Sequence, residues 1–174
     1  MRASLLVGLF AVAELIRAFS FQASASTSNC MNPRIPSAVL TDSLIPKSYF
    51  GKMETTELQI AGHRFRLVVA KTVPDLMKGL MCVPKIKSDA GMLFVFDKPQ
   101  TLDFWMESTR VALDMVWIDK EGRITSIAAN VPAAGKTSKP ARRSGYGKYV
   151  LELNSGSANL LGLHVGSSLA IGGL

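Results

Sequence analysis

At 174 residues the chain is long enough for one domain of ordinary size and too short for two comfortable ones. A hydrophobic share of 48% with 19% charged residues excludes a disordered chain, and two cysteines exclude a disulfide scaffold. Twenty Lys and Arg against thirteen Asp and Glu give a formal net charge of +7, which suits an anionic partner only if the basic residues cluster.

Arg2 gives a positive start, and residues 5–13 form an apolar run ended by Glu14, the pattern of a signal-peptide core. The run is too short to cross a bilayer, which takes about 20 residues. Small residues allow cleavage after Ala18 or after Ala25, and residues 1–18 are read as a signal-like segment. Residues 19–53 are rich in Ser, free of acids as far as Thr41 and punctuated by Pro33, Pro36 and Pro46, the composition of a disordered transit-like leader or linker. Two destinations fit. One is the periplasmic or extracellular space of an exported bacterial protein; the other is a plastid, since the pattern resembles the bipartite leaders of algal proteins sent to secondary plastids. No small-residue lipobox precedes Cys30, so lipid attachment is not expected, and the mature chain has no transmembrane helix. Removing residues 1–18 takes away Arg2, Arg17 and Glu14 and leaves +6, so the basicity belongs to the domain.

That domain is expected over residues 54–174. Residues 58–60 and 64–70 predict two strands joined at Gly62-His63, with His63 at the turn tip. Residues 72–81 predict a helix with Val73, Leu76, Met77, Leu80 and Met81 on one face. Thr72 and Asp75 match a capping box, Pro74 falls in the first turn, and Val83-Pro84 ends the element. Strands are expected at 92–96, 102–107, 115–118 and 123–127, with a tight hairpin at Asp119-Lys120-Glu121-Gly122. Residues 131–147 read as a loop, 149–153 as a strand, 157–161 as a short helix closed by Gly162, and 168–171 as a last strand. Two short helices without regular alternation of strand and helix predict a mainly β fold, mostly antiparallel, of sandwich or jelly-roll-like barrel type.

Few residues carry obvious chemistry. Cys30, Cys82, His63 and His164 form no zinc spacing and no nucleophilic triad, so no metal site and no cofactor are expected. Cys82 reads most simply as a small apolar core residue. The methionines at 77, 81, 92, 106 and 115 fit core filling better than copper binding. Lys136, Lys139, Arg142, Arg143 and Lys148 make a basic loop without an intervening acid, which could dock an acidic protein partner. Only Tyr146 and Tyr149 accompany them, too little stacking surface for nucleic acid.

Residues 102–119 are the most informative. On a strand, Trp105 shares a face with Asp103 and Glu107, a surface suited to stacking on a sugar ring or holding a cation. Thr109 and Asp114 follow on the connecting loop and at the start of the next strand. Asp114 is either a buried acceptor fixing that loop or a site carboxylate, and Glu152, between Leu151 and Leu153, has the same two readings. Were their strands adjacent, Asp114 and Glu152 could serve as the acid and base of a hydrolase.

The ordered motifs Gly79-Leu80-Met81, Gly91-Met92-Leu93-Phe94-Val95-Phe96, Phe104-Trp105-Met106 with Thr109, Leu113-Asp114-Met115, Ile118-Asp119 with Gly122-Arg123, and Leu151-Glu152-Leu153 ahead of Gly156 and Gly166 resemble the DUF192 family (domain of unknown function 192). The resemblance spans about residues 58–170. It implies a compact, mainly β domain with a helix carrying the Gly-Leu-Met motif, often exported in bacteria, and no established reaction. It also implies one groove lined by Met81, Met92, Trp105, Thr109, Asp114 and Met115, to which the strand pattern adds Glu107. Glu107 and Ser108 replace the basic residue and Asn usual in the family, and Ala112 replaces a Pro. The first change reverses a charge beside Trp105, so an anionic ligand, if relatives bind one in this groove, is not expected to carry over. The functional expectation is a non-catalytic module binding a small molecule or peptide in an aromatic groove, with the hydrolase and the assembly factor as alternatives.

Overall fold

The structure is a computed structural model that describes residues 53–135 and 139–171. The signal-like segment, the leader as far as Lys52, and Lys136 of the basic loop lie outside the described residues.

Six strands and two short helices follow one another as β1 (Thr55–Ile60), β2 (His63–Ala70), α1 (Val73–Lys78), β3 (Ala90–Trp105), β4 (Leu113–Ile118), β5 (Ile124–Val131), β6 (Arg142–Asn154) and α2 (Ser157–Leu160). The strands form one mixed sheet in the order β1-β2-β3-β6-β4-β5. It is not closed into a barrel, so the mainly β reading holds in the form of a single open sheet. All pairs are antiparallel except β2 with β3, which run parallel on either side of the α1 crossover.

Several boundaries differ from the sequence reading, each for a local reason. The first hairpin turns at Ala61-Gly62, both with positive φ (48° and 80°), and His63 instead opens β2 opposite Ile60. Two positive φ values give the twist that suits a two-residue hairpin. The runs at 92–96 and 102–105 belong to one strand, β3, because Asp97-Lys98-Pro99 forms an irregularity in its pairing and not a turn; the strand expected to reach Glu107 ends at Trp105, and Glu107 lies in the turn beyond it. Val95 pairs with Tyr149 and Gln100 with Gly147, so the surplus residues bulge from the ladder and Pro99 needs no partner there. The basic stretch is not a loop from Arg142 onward: Arg142, Arg143 and Lys148 lie on β6, which pairs from Trp105↔Arg142 to Gly91↔Leu153. The strand expected at 168–171 shrinks to one isolated bridge, Arg123↔Ser168.

Both faces of the sheet are apolar. One side packs Val68, Leu80, Met92, Phe94, Met106, Met115, Trp117 and Val150; the other packs Phe65, Leu67, Leu93, Val116, Tyr149, Leu151 and Ile171. Strand β4 is buried at every position, its apolar residues on both faces and Asp114 among them. A Cβ on Gly91 would collide with the Glu152 backbone carbonyl, so β3 and β6 approach closely only because that side chain is missing.

Candidate functional site

Helix α1 starts as its sequence dictates. The Thr72 hydroxyl accepts the Asp75 N–H at 3.4 Å and donates to the Asp75 carboxylate at 2.6 Å, with Pro74 in the first turn. It ends at Gly79, whose φ of 46° suits glycine and whose missing Cβ would meet the Phe94 ring at 3.4 Å. The expected apolar face does not enter the core. No residue of α1 is buried; Val73 and Met77 are 70% and 58% exposed, and only Leu80, beyond the helix, is fully packed.

What this face does is border a cavity of about 330 Å³. Val73, Leu76, Met77 and Met81 line it from the helix side, with Lys78 at the helix end. Phe94, Phe96, Phe104 and Trp105 of β3 form the opposite wall, with Asp103 beside them. The rings pack edge to face: Phe104 meets Phe94 at 4.8 Å and 88°, and Phe96 at 6.4 Å and 77°. Trp105 is 39% exposed, and the Arg142 guanidinium sits 5.1 Å from its ring centroid, a cation–π contact across the β3/β6 ladder.

Glu152 is the polar group set deepest in this lining. It pairs with Met92 on β3 and Met115 on β4, both fully buried, and shares the face of Val150. Its side chain is 4% exposed, lines the cavity, and makes no hydrogen bond or ion pair among the described residues. Burial without a partner disfavours the charged form and pushes the carboxyl up to about 8.

Trp105 and Glu152 share one cavity although they are far apart along the ladder. The β6 partner of Trp105 is Arg142, about 33 Å from Glu152 on a straight strand. The β3/β6 ribbon therefore bends, and the register irregularity between Val95 and Gln100 is where it does so.

Asp114 is placed elsewhere. It pairs with Leu153, one step out of phase with Glu152, and so points to the opposite face of the sheet. Its side chain is fully buried; one oxygen accepts the Asn130 N–H and the other the Ala158 N–H, each at 2.7 Å. Asn130 has φ 54° in β5 and Ala158 lies in the first turn of α2, whose Gly156 cap offers no side-chain oxygen. Asp114 thus acts as the buried acceptor that fixes these backbones, and the structure does not bring it together with Glu152.

Of the groove residues expected from sequence, Met81, Trp105 and Thr109 line the cavity. Met92 and Met115 lie beneath it in the core. Thr109 is 4% exposed and donates at 3.3 Å to the Glu107 carbonyl, while the Glu107 side chain is half-buried outside the lining. The phenylalanine wall, and the place of the α1 face beside it, escaped the sequence reading; the signal was a helix too short to bury the apolar face it carries. In the basic stretch, Lys148 lies 5.1 Å from the Tyr149 ring centroid, and Arg143 donates to the Arg142 carbonyl at 2.7 Å. Cys82, expected in the core, is half-buried with φ 64° and is disulfide-bonded. Among the described residues no three His, Cys, Asp or Glu side chains converge as a metal site.

An open mixed sheet with an aromatic cavity under a short crossover helix defines the class of domain. The family model DUF192, described as "Uncharacterized ACR", matches residues 56–171, and the chain belongs to that family. It is similar to the crystal structure of a candidate transcription regulator from Sinorhizobium meliloti, with 29% identity and a TM-score of 0.60 over 68% of this chain and 96% of that one. A protein of unknown function from Novosphingobium aromaticivorans is similar with 28% identity and a TM-score of 0.61, over 78% and 96% of the two chains. No curated protein matches.

Proposed function

We propose that the domain is a non-catalytic binding module that takes a small molecule into the cavity between α1 and the bent end of β3. The observation that carries this reading is a hydrogen-bonding group left unused in a concave apolar site: the Glu152 carboxyl, 4% exposed and without a partner among the described residues. The carboxyl opens onto the cavity with its hydrogen-bonding capacity unused by the fold, which leaves it available to a ligand that enters there. The volume of about 330 Å³ fits a small molecule better than a peptide segment, since ligand pockets begin at roughly 300 Å³. Trp105 at the mouth and Thr109 in the lining supply the aromatic and polar anchors.

The hydrolase alternative needs Asp114 beside Glu152, and these residues lie on opposite faces of the sheet with both Asp114 oxygens occupied. The proposed setting is an exported or organellar compartment, on the strength of the signal-like residues 1–18. A thermal-shift screen of the protein against sugars, nucleotides, amines and carboxylates tests the module. At least one compound raises the melting temperature, and Trp105→Ala removes that shift; a shift that survives the substitution overturns the cavity as the binding site.

A further inference from the structure

We infer that the ligand is a small organic cation, a protonated amine on an apolar body, whose ammonium pairs with Glu152 while the body lies along the phenylalanine wall. This rests on the cavity being a binding site and assigns the chemistry of what enters it.

The choice lies between a cation, a neutral donor or acceptor, and an anion. Lys78 and Asp103 in the lining offset one another, so the choice falls to Glu152, a buried carboxyl that can give up its proton and pair with a cation but gains nothing from an anion. An acid with no partner of its own among the described residues, in an apolar lining, favours a cation. The walls point the same way: the faces of Phe94, Phe96 and Phe104 attract positive charge, and the sulfurs of Met77 and Met81 are polarizable. A neutral ligand leaves the buried carboxyl with a hydrogen bond but uses none of this electrostatic bias.

The same residues fix the direction of entry. Trp105 at the mouth already holds the Arg142 guanidinium, so a second cation there is repelled, whereas Glu152 is reached through apolar walls without a competing cation on its own strand pair. The ammonium therefore goes in first and the apolar body trails towards Val73 and Met77. The titratable groups that share the lining with Glu152 are Lys78 from α1 and Asp103 from β3; β4 presents Met115 and β3 presents Met92 beside it. Binding converts a neutral carboxyl into a paired carboxylate, so the proton leaves Glu152 for solvent as the ammonium arrives. Affinity then rises with pH, by about tenfold per unit up to about pH 8, and levels off above it.

The test is calorimetric titration of the full chain with three probes of one shape: phenethylammonium, 2-phenylethanol and 3-phenylpropionate. The ammonium is expected to bind at least about tenfold more tightly than the alcohol at pH 8, with the carboxylate weakest, and Glu152→Gln is expected to abolish that preference. Titrations in two buffers of different ionisation enthalpy, which need no variant, are expected to show close to one proton released per ammonium bound below about pH 7. If the alcohol binds as tightly as the ammonium, or if no proton is released, the cation assignment falls while a Trp105-dependent cavity stands. If none of the probes binds saturably at millimolar concentration, the assignment and the cavity reading fall together.

Discussion

Glu152 gives the fold a pH response of unusual sign. Its carboxyl is raised from 4.5 to about 8 by burial, so between these values the folded chain keeps a proton that the unfolded chain has lost. Stability therefore falls as pH rises from about 4.5 to about 8 and is flat above, the reverse of an ion-paired carboxylate. Glu152→Gln removes this slope. Melting curves of the two proteins are expected to coincide near pH 4.5 and to diverge in favour of the variant at pH 8, by on the order of a few kcal/mol; parallel curves would contradict the burial of a lone carboxyl. The residue stood out in the sequence as an acid between two leucines, but its surroundings did not, because they come from Met92 and Met115 on two other strands. Asp114 posed the same puzzle in the same form, and its answer depended on Asn130 and on a helix turn that starts only at Ser157.

Between elements, Asp114 is the tie that matters most. It joins β4 to the irregular end of β5 and to the first turn of α2, a helix of four residues with no cap of its own. Asp114→Ala leaves the buried Ala158 N–H and the part-buried Asn130 N–H without their acceptor and is expected to cost about 2 kcal/mol in urea denaturation. It is expected to leave binding at the cavity unaltered in any folded fraction, because the carboxylate lies on the other face of the sheet; loss of binding from a folded variant would count against that separation. The elements themselves were readable where local chemistry decides them. The Thr72-Pro74-Asp75 start of α1 and the hairpin at Asp119-Gly122, where the Asp119 carboxylate accepts the Glu121 and Arg123 N–H groups at 3.0 and 2.8 Å, both stand as the sequence predicts. Strand ends were not readable where Pro99 and the Pro, Ala, Gly and Ser of residues 131–147 suggested loops, since pairing with a distant partner overrides local preference.

For the molecule as a whole, the decisive fact is that the last strand enters the middle of the sheet, between β3 and β4. No periodicity in the sequence announces that order, and the lone parallel pair β2/β3 was equally hidden. The arrangement predicts how stability is distributed. Amides of β4 and the central part of β6, paired on both sides and buried on both faces, are expected to exchange hydrogen only on global unfolding. Those of Thr55 to Glu57 on the half-exposed edge strand β1 are expected to exchange at least about a hundredfold faster. Uniform protection across the sheet would contradict this order.

The surplus residues in β3 between Val95 and Gln100 have an evolutionary consequence. They stand outside the cavity's polar anchors, yet their number sets how far the aromatic end of the ribbon swings over Glu152. Lengthening or shortening the stretch at Asp97-Lys98-Pro99, beyond Phe96, would retune the depth of the cavity while the residues that line it stayed the same. Relatives could in this way diverge in what they bind by insertion and deletion alone, with their motifs intact.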